Sequence, residues 1–213
     1  MPAQAWMREE PSPRAVLQVG GGVALPGAPI AWIAPGAGLE VRAFAPGPGD
    51  HGGLVIDSAG AAAAPLHAHE PDEAAVLATL CLRLGHVCAA DVLSAPGLER
   101  LHAAVCALRG LEPPRIDAGA ILAGAQVAAS AECSRAVAMF CALLGDFAAG
   151  VALHLGAGGG VHLGGELVPV LGRWFARSSF RRRFEAHGQA RERLRAVPTF
   201  VRLDARAPLA PSR

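Results

Sequence analysis

Residues 156–169 read GAGGGVHLGGELVP, a glycine turn, a strand and a second glycine turn that carries an acid. Gly159, Gly160, Gly164 and Gly165 have no Cβ, so something can approach the backbone closely there. Glu166 stands where a third glycine is expected. Other groups invite chemistry less strongly. His67, His69 and Glu70 are metal-ligand types, but no fourth partner follows at a recognised spacing, and solvated loop histidines are the expectation. Asp146 interrupts an apolar run as either a hydrogen-bonded buried acid or a sheet-facing one, with no nucleophile motif to make it a general base. Ser94 and Ser130 lack a G-x-S-x-G context and read as helix caps. Arg173, Arg177, Arg181, Arg182, Arg183, Arg191, Arg193 and Arg195 alternate with Trp174, Phe175, Phe180 and Phe184. Such interleaving occurs on nucleic-acid surfaces, but a solvated helix face is expected and no nucleic-acid partner.

The frame around these residues is globular. The chain has 213 residues and is 52% apolar, enough to bury a sizeable core. All 19 basic side chains are Arg, and Lys, Asn and Tyr do not occur, a pattern that suggests a GC-rich coding sequence. A net charge of +1 supplies no field to gather nucleic acid or anionic membrane. Cys81, Cys88, Cys106, Cys133 and Cys141 include no C-x-x-C pair and read as small buried hydrophobes. The first residues, MPAQAWMREEPSPR, lack the apolar core of a signal peptide, so cytoplasm is the expected compartment. The run 136–153 is long enough to span a bilayer, yet Asp146 would cost about 2.5–3.5 kcal/mol there. A buried core helix with no membrane partner is the reading.

Residues 1–28 are a Pro- and Gly-rich lead-in with one short ordered piece, and 29–213 form one domain. Apolar runs at 29–35, 39–45 and 53–58, bounded by Gly and Pro, predict a strand meander. Residues 58–71 predict a loop, because Pro65 and Pro71 outweigh the alanines. From Pro71 the period becomes helical, with Val76, Leu80, Leu84 and Val87 on one stripe and Gly85 closing the helix. Ser94 and Pro96 open a second helix that Gly110 ends, and 114–128 hold a shorter one. Ser130 opens the strongest, with Val137, Phe140, Leu144, Phe147, Val151 and Leu155 in line. A buried strand GVHLGG, a helix from Leu167, an Arg-rich helical segment at 173–195 and a last strand PTFVRL complete the order. That order suits an α/β domain with a helix-covered sheet.

Three blocks, GHVCAADVLSAPGLERLHAAV, AVAMFCALLGDFAAGVALHLGAGGGVHLGGELVP and FARSSFRRRFEAHGQARERLRAVPTFV, resemble in order and spacing the large-domain half of bacterial glucokinases. A weaker likeness covers PIAWIAPGAGLEV. The resemblance implies a ribonuclease-H-like lobe of the actin-like ATPase superfamily. Its parts are a mixed sheet with an antiparallel three-strand meander, a long central helix and inserted helices. It also implies ATP and Mg, glucose as substrate, and a homodimer or a pairing with another kinase subunit. His86, in LGHV, corresponds to a packing position.

The family's smaller domain carries Asp-x-Gly-Gly-Thr and an Asn-Asp pair whose Asp is the base. Neither occurs in these 213 residues, and the 28-residue lead-in is expected to be too short for that domain. The family's sugar loop, Glu-Gly-Gly-His, aligns with Gly60, Ala61, Ala62 and Ala63, and a further sugar-binding Glu falls on Ala90, beside Asp91. Its second phosphate turn aligns with Gly36, Ala37 and Gly38, where Ala37 replaces a Thr and Glu40 a Gly. Its adenosine turn aligns with Gly159, Gly160, Gly164, Gly165 and Glu166. A positive φ at Glu166 would be strained. Ala95 likewise replaces a Gly in SAPG. Apolar stripes and caps survive while polar ligand positions do not, so the expectation is a fold kept without its catalysis.

Overall fold

The computed structural model describes residues 16–45, 54–57 and 59–203. Six strands form one mixed sheet in the order β1-β6-β5-β2-β3-β4. They are β1 (Val16–Val19), β2 (Ile30–Pro35), β3 (Leu39–Ala45), β4 (Leu54–Asp57), β5 (Gly160–Leu163) and β6 (Thr199–Arg202). β2, β3 and β4 are the antiparallel meander, β5 runs parallel to both β2 and β6, and β1 closes the edge antiparallel to β6. The ordered piece of the lead-in is therefore a strand of the sheet itself. Thr199 Oγ1 donates to the Val19 carbonyl at 2.6 Å and fixes that pairing.

Alternation along the strands divides the sheet into two faces. Val19, Ala31, Ile33, Val41, Val161, Leu163 and Val201 join the main core. Trp32, Ala34 and Phe44 form a second cluster with Ile30. Trp32 pairs with Arg42 and His162 in register, so these three project from the same face.

The helices are α1 (Ala59–Ala62), α2 (Pro71–Leu84), α3 (Ala89–Val92), α4 (Ala95–Leu108), α5 (Ala118–Gln126), α6 (Ala131–Leu155), α7 (Val168–Ala176), α8 (Phe180–Phe184) and α9 (Arg191–Ala196), with a 3-10 turn at Gly188–Ala190. α6 is the central one, and at 25 residues it runs about 37 Å. Ser130 Oγ accepts from the Cys133 N–H at its start, and Gly156 ends it in the left-handed conformation. Of its most apolar window 83% is buried inside the fold, which accounts for the membrane-length run by packing. Gly145 admits α8 closely, because a Cβ there would strike the Phe180 carbonyl.

Several expectations need correction. One helical turn, α1, forms inside the expected 58–71 loop; Pro65 instead bridges Cys88, and the Ala89 N–H donates to Ala64 O at 2.8 Å. His86 is exposed, since Gly85 at φ 77° turns the chain off the end of α2. Cys81 is exposed because Val76 and Leu80 claim the inner stripe, and Cys88 is half-buried; Cys106, Cys133 and Cys141 are buried as read. The Arg-rich segment breaks into α7, α8, the 3-10 turn and α9, and two of its arginines are buried. Arg181 donates to the carbonyls of Leu194, Arg195 and Val197, satisfying the open end of α9, and its guanidinium lies 5.0 Å over the Phe184 ring. Arg183 donates to Glu73. That stretch is an internal anchor as much as a solvated face.

Candidate functional site

Backbone hydrogen bonds gather three turns at the carboxyl end of β2. Gly36 N–H donates to Gly38 O at 2.8 Å, closing the turn into β3. Ala95 N–H donates to Gly36 O at 2.7 Å, which ties the start of α4 to that turn. Gly164 N–H donates to Ile33 O and Glu166 N–H to Pro35 O, at 3.0 and 3.1 Å, which brings in the turn after β5. Gly36, Ala37, Gly38, Gly164, Gly165 and Glu166 thus share one locality. Ala37 and Gly38 are exposed, and open space faces Gly38.

The glycines of this locality have internal reasons to be glycine. A Cβ on Gly164 would strike the Trp32 indole, and one on Gly165, at φ 78°, would strike the Pro35 carbonyl. Glu166 is not in the positive-φ region, so the expected strain is absent; Gly165 takes that conformation instead. The exposed Glu166 side chain reaches back over Gly36, its Oε2 3.7 Å from where a Cβ would stand. A carboxylate therefore lies against the turn. Glu40, nearby in β3, pairs with Arg42 at 2.5 Å.

Gly159 and Gly160 lie at the opposite end of β5. Gly160 is in register with Ile30, the first residue of β2, and the length of β2 separates them from the Pro35 turn by about 16 Å. A Cβ on Gly159 would meet Ala28 O at 2.6 Å, and one on Gly160, at φ 118°, would meet the Phe200 ring at 3.1 Å. Chain packing accounts for both.

The positions aligned with the family's sugar loop lie on neighbouring segments. Ala89 N–H bonded to Ala64 O lays the segment after α1 along the start of α3, so Gly60 and Ala63 adjoin the Ala90 segment. Gly60 and Ala63 are exposed, Ala90 is half-buried, and its carbonyl accepts from Ser94 Oγ at 2.9 Å. Asp91 is committed elsewhere: its Oδ2 accepts from the Cys88 N–H at 2.9 Å and lies 3.0 Å from the Cys88 thiol. Burial pushes the Asp91 carboxyl up, but the Cys88 hydrogen bonds, with Arg100 and His86, outweigh it and hold the group below its ordinary range.

One cluster has no signal in residue spacing. Asp146 Oδ1 on α6 stands 2.9 Å from His69 Nε2 and 3.3 Å from His187 Nε2. His69 is therefore not simply a solvated loop residue, and Asp146 is a buried acid with partners. Beside it, Glu73 accepts from Arg183 at 2.6 Å and from the His69 N–H at 2.8 Å. Among the described residues no group of three or more His, Cys, Asp or Glu is placed to hold a metal ion.

The mixed sheet with its antiparallel meander and long central helix is the fold of the actin-like ATPase class, and solved structures agree. The glucokinase of an Antarctic psychrotroph superimposes with a TM-score of 0.81 at 27% identity, over 89% of this chain and 58% of that one. A glucokinase from Balamuthia mandrillaris, solved with glucose, gives 0.75 at 18% identity, a likeness of fold, over 88% of this chain and 55% of that one. The family profile described as Glucokinase matches residues 1–211, and the chain belongs to that family. It is 42% identical to the glucokinase of Aromatoleum aromaticum over 191 residues and 40% identical to that of Chromobacterium violaceum over 188. These alignments take in 86% and 88% of this chain but 55% and 53% of the relatives, so the chain spans about half the length of the curated relatives it matches.

Proposed function

We propose that this half of the glucokinase fold does not phosphorylate glucose by itself and serves as a binding or dimerisation module, paired with a second copy or with another kinase subunit. The observation that carries the reading is the sugar-side surface. Gly60, Ala63 and Ala90, on segments joined by the Ala89–Ala64 hydrogen bond, offer no side-chain hydrogen-bonding atom, while Asp91 is held by Cys88. Polar ligands stand at the three aligned positions in the family the chain resembles, and charge-assisted hydrogen bonds are worth about 1.5–3 kcal/mol each. Their loss removes useful affinity for a sugar.

ATP with Mg is what the family implies, and the residues at the turn do not fit it. Ala37 brings no hydroxyl, and the Glu166 carboxylate beside Gly36 opposes phosphate charge. The names of the relatives favour a second reading, a working glucokinase that makes glucose 6-phosphate alone or with a separately encoded N-terminal half.

The deciding experiment is transfer of labelled γ-phosphate from MgATP to glucose, at high protein and millimolar sugar. It is run with the purified chain alone and with the N-terminal half of the Aromatoleum aromaticum relative added. No transfer above the blank in either arm is expected. Transfer only with the added half establishes the second reading; transfer by the chain alone that vanishes in Asp91→Ala or Glu166→Ala overturns the first.

A further inference from the structure

We propose that a cavity between α2, α4 and α6 binds a free α-amino acid with an aliphatic side chain. Its volume is about 280 Å³, room for about nine water molecules or for a ligand of similar heavy-atom count. Each of the three helices supplies one apolar and one charged residue four positions apart, the spacing that sets two side chains on one helix face. The pairs are Val76 with Asp72 on α2, Val105 with Arg109 at the end of α4, and Met139 with Arg135 on α6. Val76, Val105 and Met139 belong to the main core and make an apolar floor, and the half-exposed Leu108 adds a wall.

The rim decides the ligand class. Arg135 pairs with Asp72, and Arg109 pairs with Glu132 at 2.5 Å, so the mouth presents both signs of charge side by side. A simple carboxylate drawn to the guanidinium groups meets the Asp72 carboxylate, and a simple amine drawn to Asp72 meets two cations. A zwitterion gives each its opposite. Its carboxylate takes guanidinium N–H groups, of which Arg109 commits only Nη1, to Glu132, among the described residues, and its ammonium takes Asp72. The side chains of Asp72, Arg109 and Arg135 are about half exposed, at 61%, 49% and 52%, so their present pairs are weak and rearrange at little cost. The aliphatic side chain then covers the floor and takes part of Leu108 out of water.

The cavity is separate from the turns at the end of β2. Ala95, whose N–H holds the Gly36 turn, and Val105, in the cavity, are about 15 Å apart along α4. The proposal therefore stands whatever the positions aligned with sugar and nucleotide bind. A bound amino acid touches α2, α4 and α6 at once and fastens the two shorter helices to the central one.

Methionine-methyl NMR of the full chain tests it, because Met139 lines the cavity and the other methionines are Met1 and Met7. L-leucine is titrated beside isocaproate, which lacks the ammonium, and isoamylamine, which lacks the carboxylate. Leucine is expected to shift the Met139 signal saturably with a Kd on the order of 1 mM, and each truncated probe to bind about tenfold more weakly or worse. Arg135→Ala should weaken leucine about tenfold. Asp72→Asn should weaken leucine and strengthen isocaproate, each about threefold, a reversal that loss of packing alone does not produce. No saturable shift with leucine up to about 20 mM, a Kd far above that expected for so small a ligand, overturns the proposal. So does a truncated probe that binds as tightly as leucine, or a leucine affinity unchanged in Asp72→Asn, which also decides if Arg135→Ala fails to fold.

Discussion

Glu73 and Arg183, 110 residues apart in sequence, meet as a buried ion pair with Arg183 Nη1 2.6 Å from Glu73 Oε1 and each side chain 6% exposed. The pair joins the first turn of α2 to α8. Arg183 Nε and Nη2 have no partner among the described residues, so the guanidinium is only partly satisfied.

Breaking the pair from one side is therefore expected to cost more than replacing it. Glu73→Gln leaves a buried cation and should destabilise by about 3–5 kcal/mol, while Glu73→Gln with Arg183→Met, which keeps an acceptor for the His69 and Glu70 N–H groups, should recover most of that loss. Urea unfolding of the three proteins measures both. Burial pushes the Glu73 carboxyl up, but Arg183 and the N–H groups of His69 and Glu70 prevail and lower it. The group binds fewer protons folded than unfolded, so its contribution is present above the ordinary carboxylate range and is lost as pH falls through the lowered folded value.

Asp91 is expected to behave as a cap and not as a ligand. Asp91→Ala removes the hydrogen bond to Cys88 N–H and should cost about 0.5–2 kcal/mol in unfolding. Glucose titration calorimetry of the parent and the variant should show the same absence of heat.

Glu166→Gly should tighten MgATP binding about threefold to tenfold, because a carboxylate leaves the Gly36 turn. Glu166→Gln should gain nearly as much, since charge and not bulk is removed. Equal affinity in all three proteins, read by equilibrium dialysis, would show that phosphates do not visit this turn.

Acid sensitivity should centre on His162. Burial, with Arg202 nearby, lowers its imidazole to about 4. The unfolded chain then binds more protons between about pH 6.5 and 4, so stability falls as pH falls through that window, by on the order of 3 kcal/mol in total. His162→Phe, which preserves the ring contact with Phe200 at 4.9 Å, is expected to flatten that limb in denaturant melts at several pH values.

What the sequence discloses and what it hides follow from the range of the forces involved. Ser94, Ser130, Gly85 and the α6 stripe are local or periodic features, and each folds as its pattern predicts. The resemblance locates the turns at Gly36 and Gly164, which backbone pairing then brings together. The partners of Asp146 come from positions 69 and 187, and no spacing rule links residues that distant. The burial of Arg181 and Arg183 is hidden for the same reason, because free carbonyls at the end of α9 and a carboxylate on α2 claim them only once the chain has closed.

The bond from Thr199 to Val19 spans 180 residues, and its consequence belongs to synthesis. β1 leaves the ribosome early, whereas β6, the strand it pairs with, is among the last described residues to appear. At about 5–20 residues per second, β1 waits roughly 10–35 seconds with an unpaired edge. β5, which alone joins β6 to the meander, is made almost as late. Until β6 emerges, β1 therefore stays cut off from the other four described strands, and in that interval protection by a chaperone would matter most.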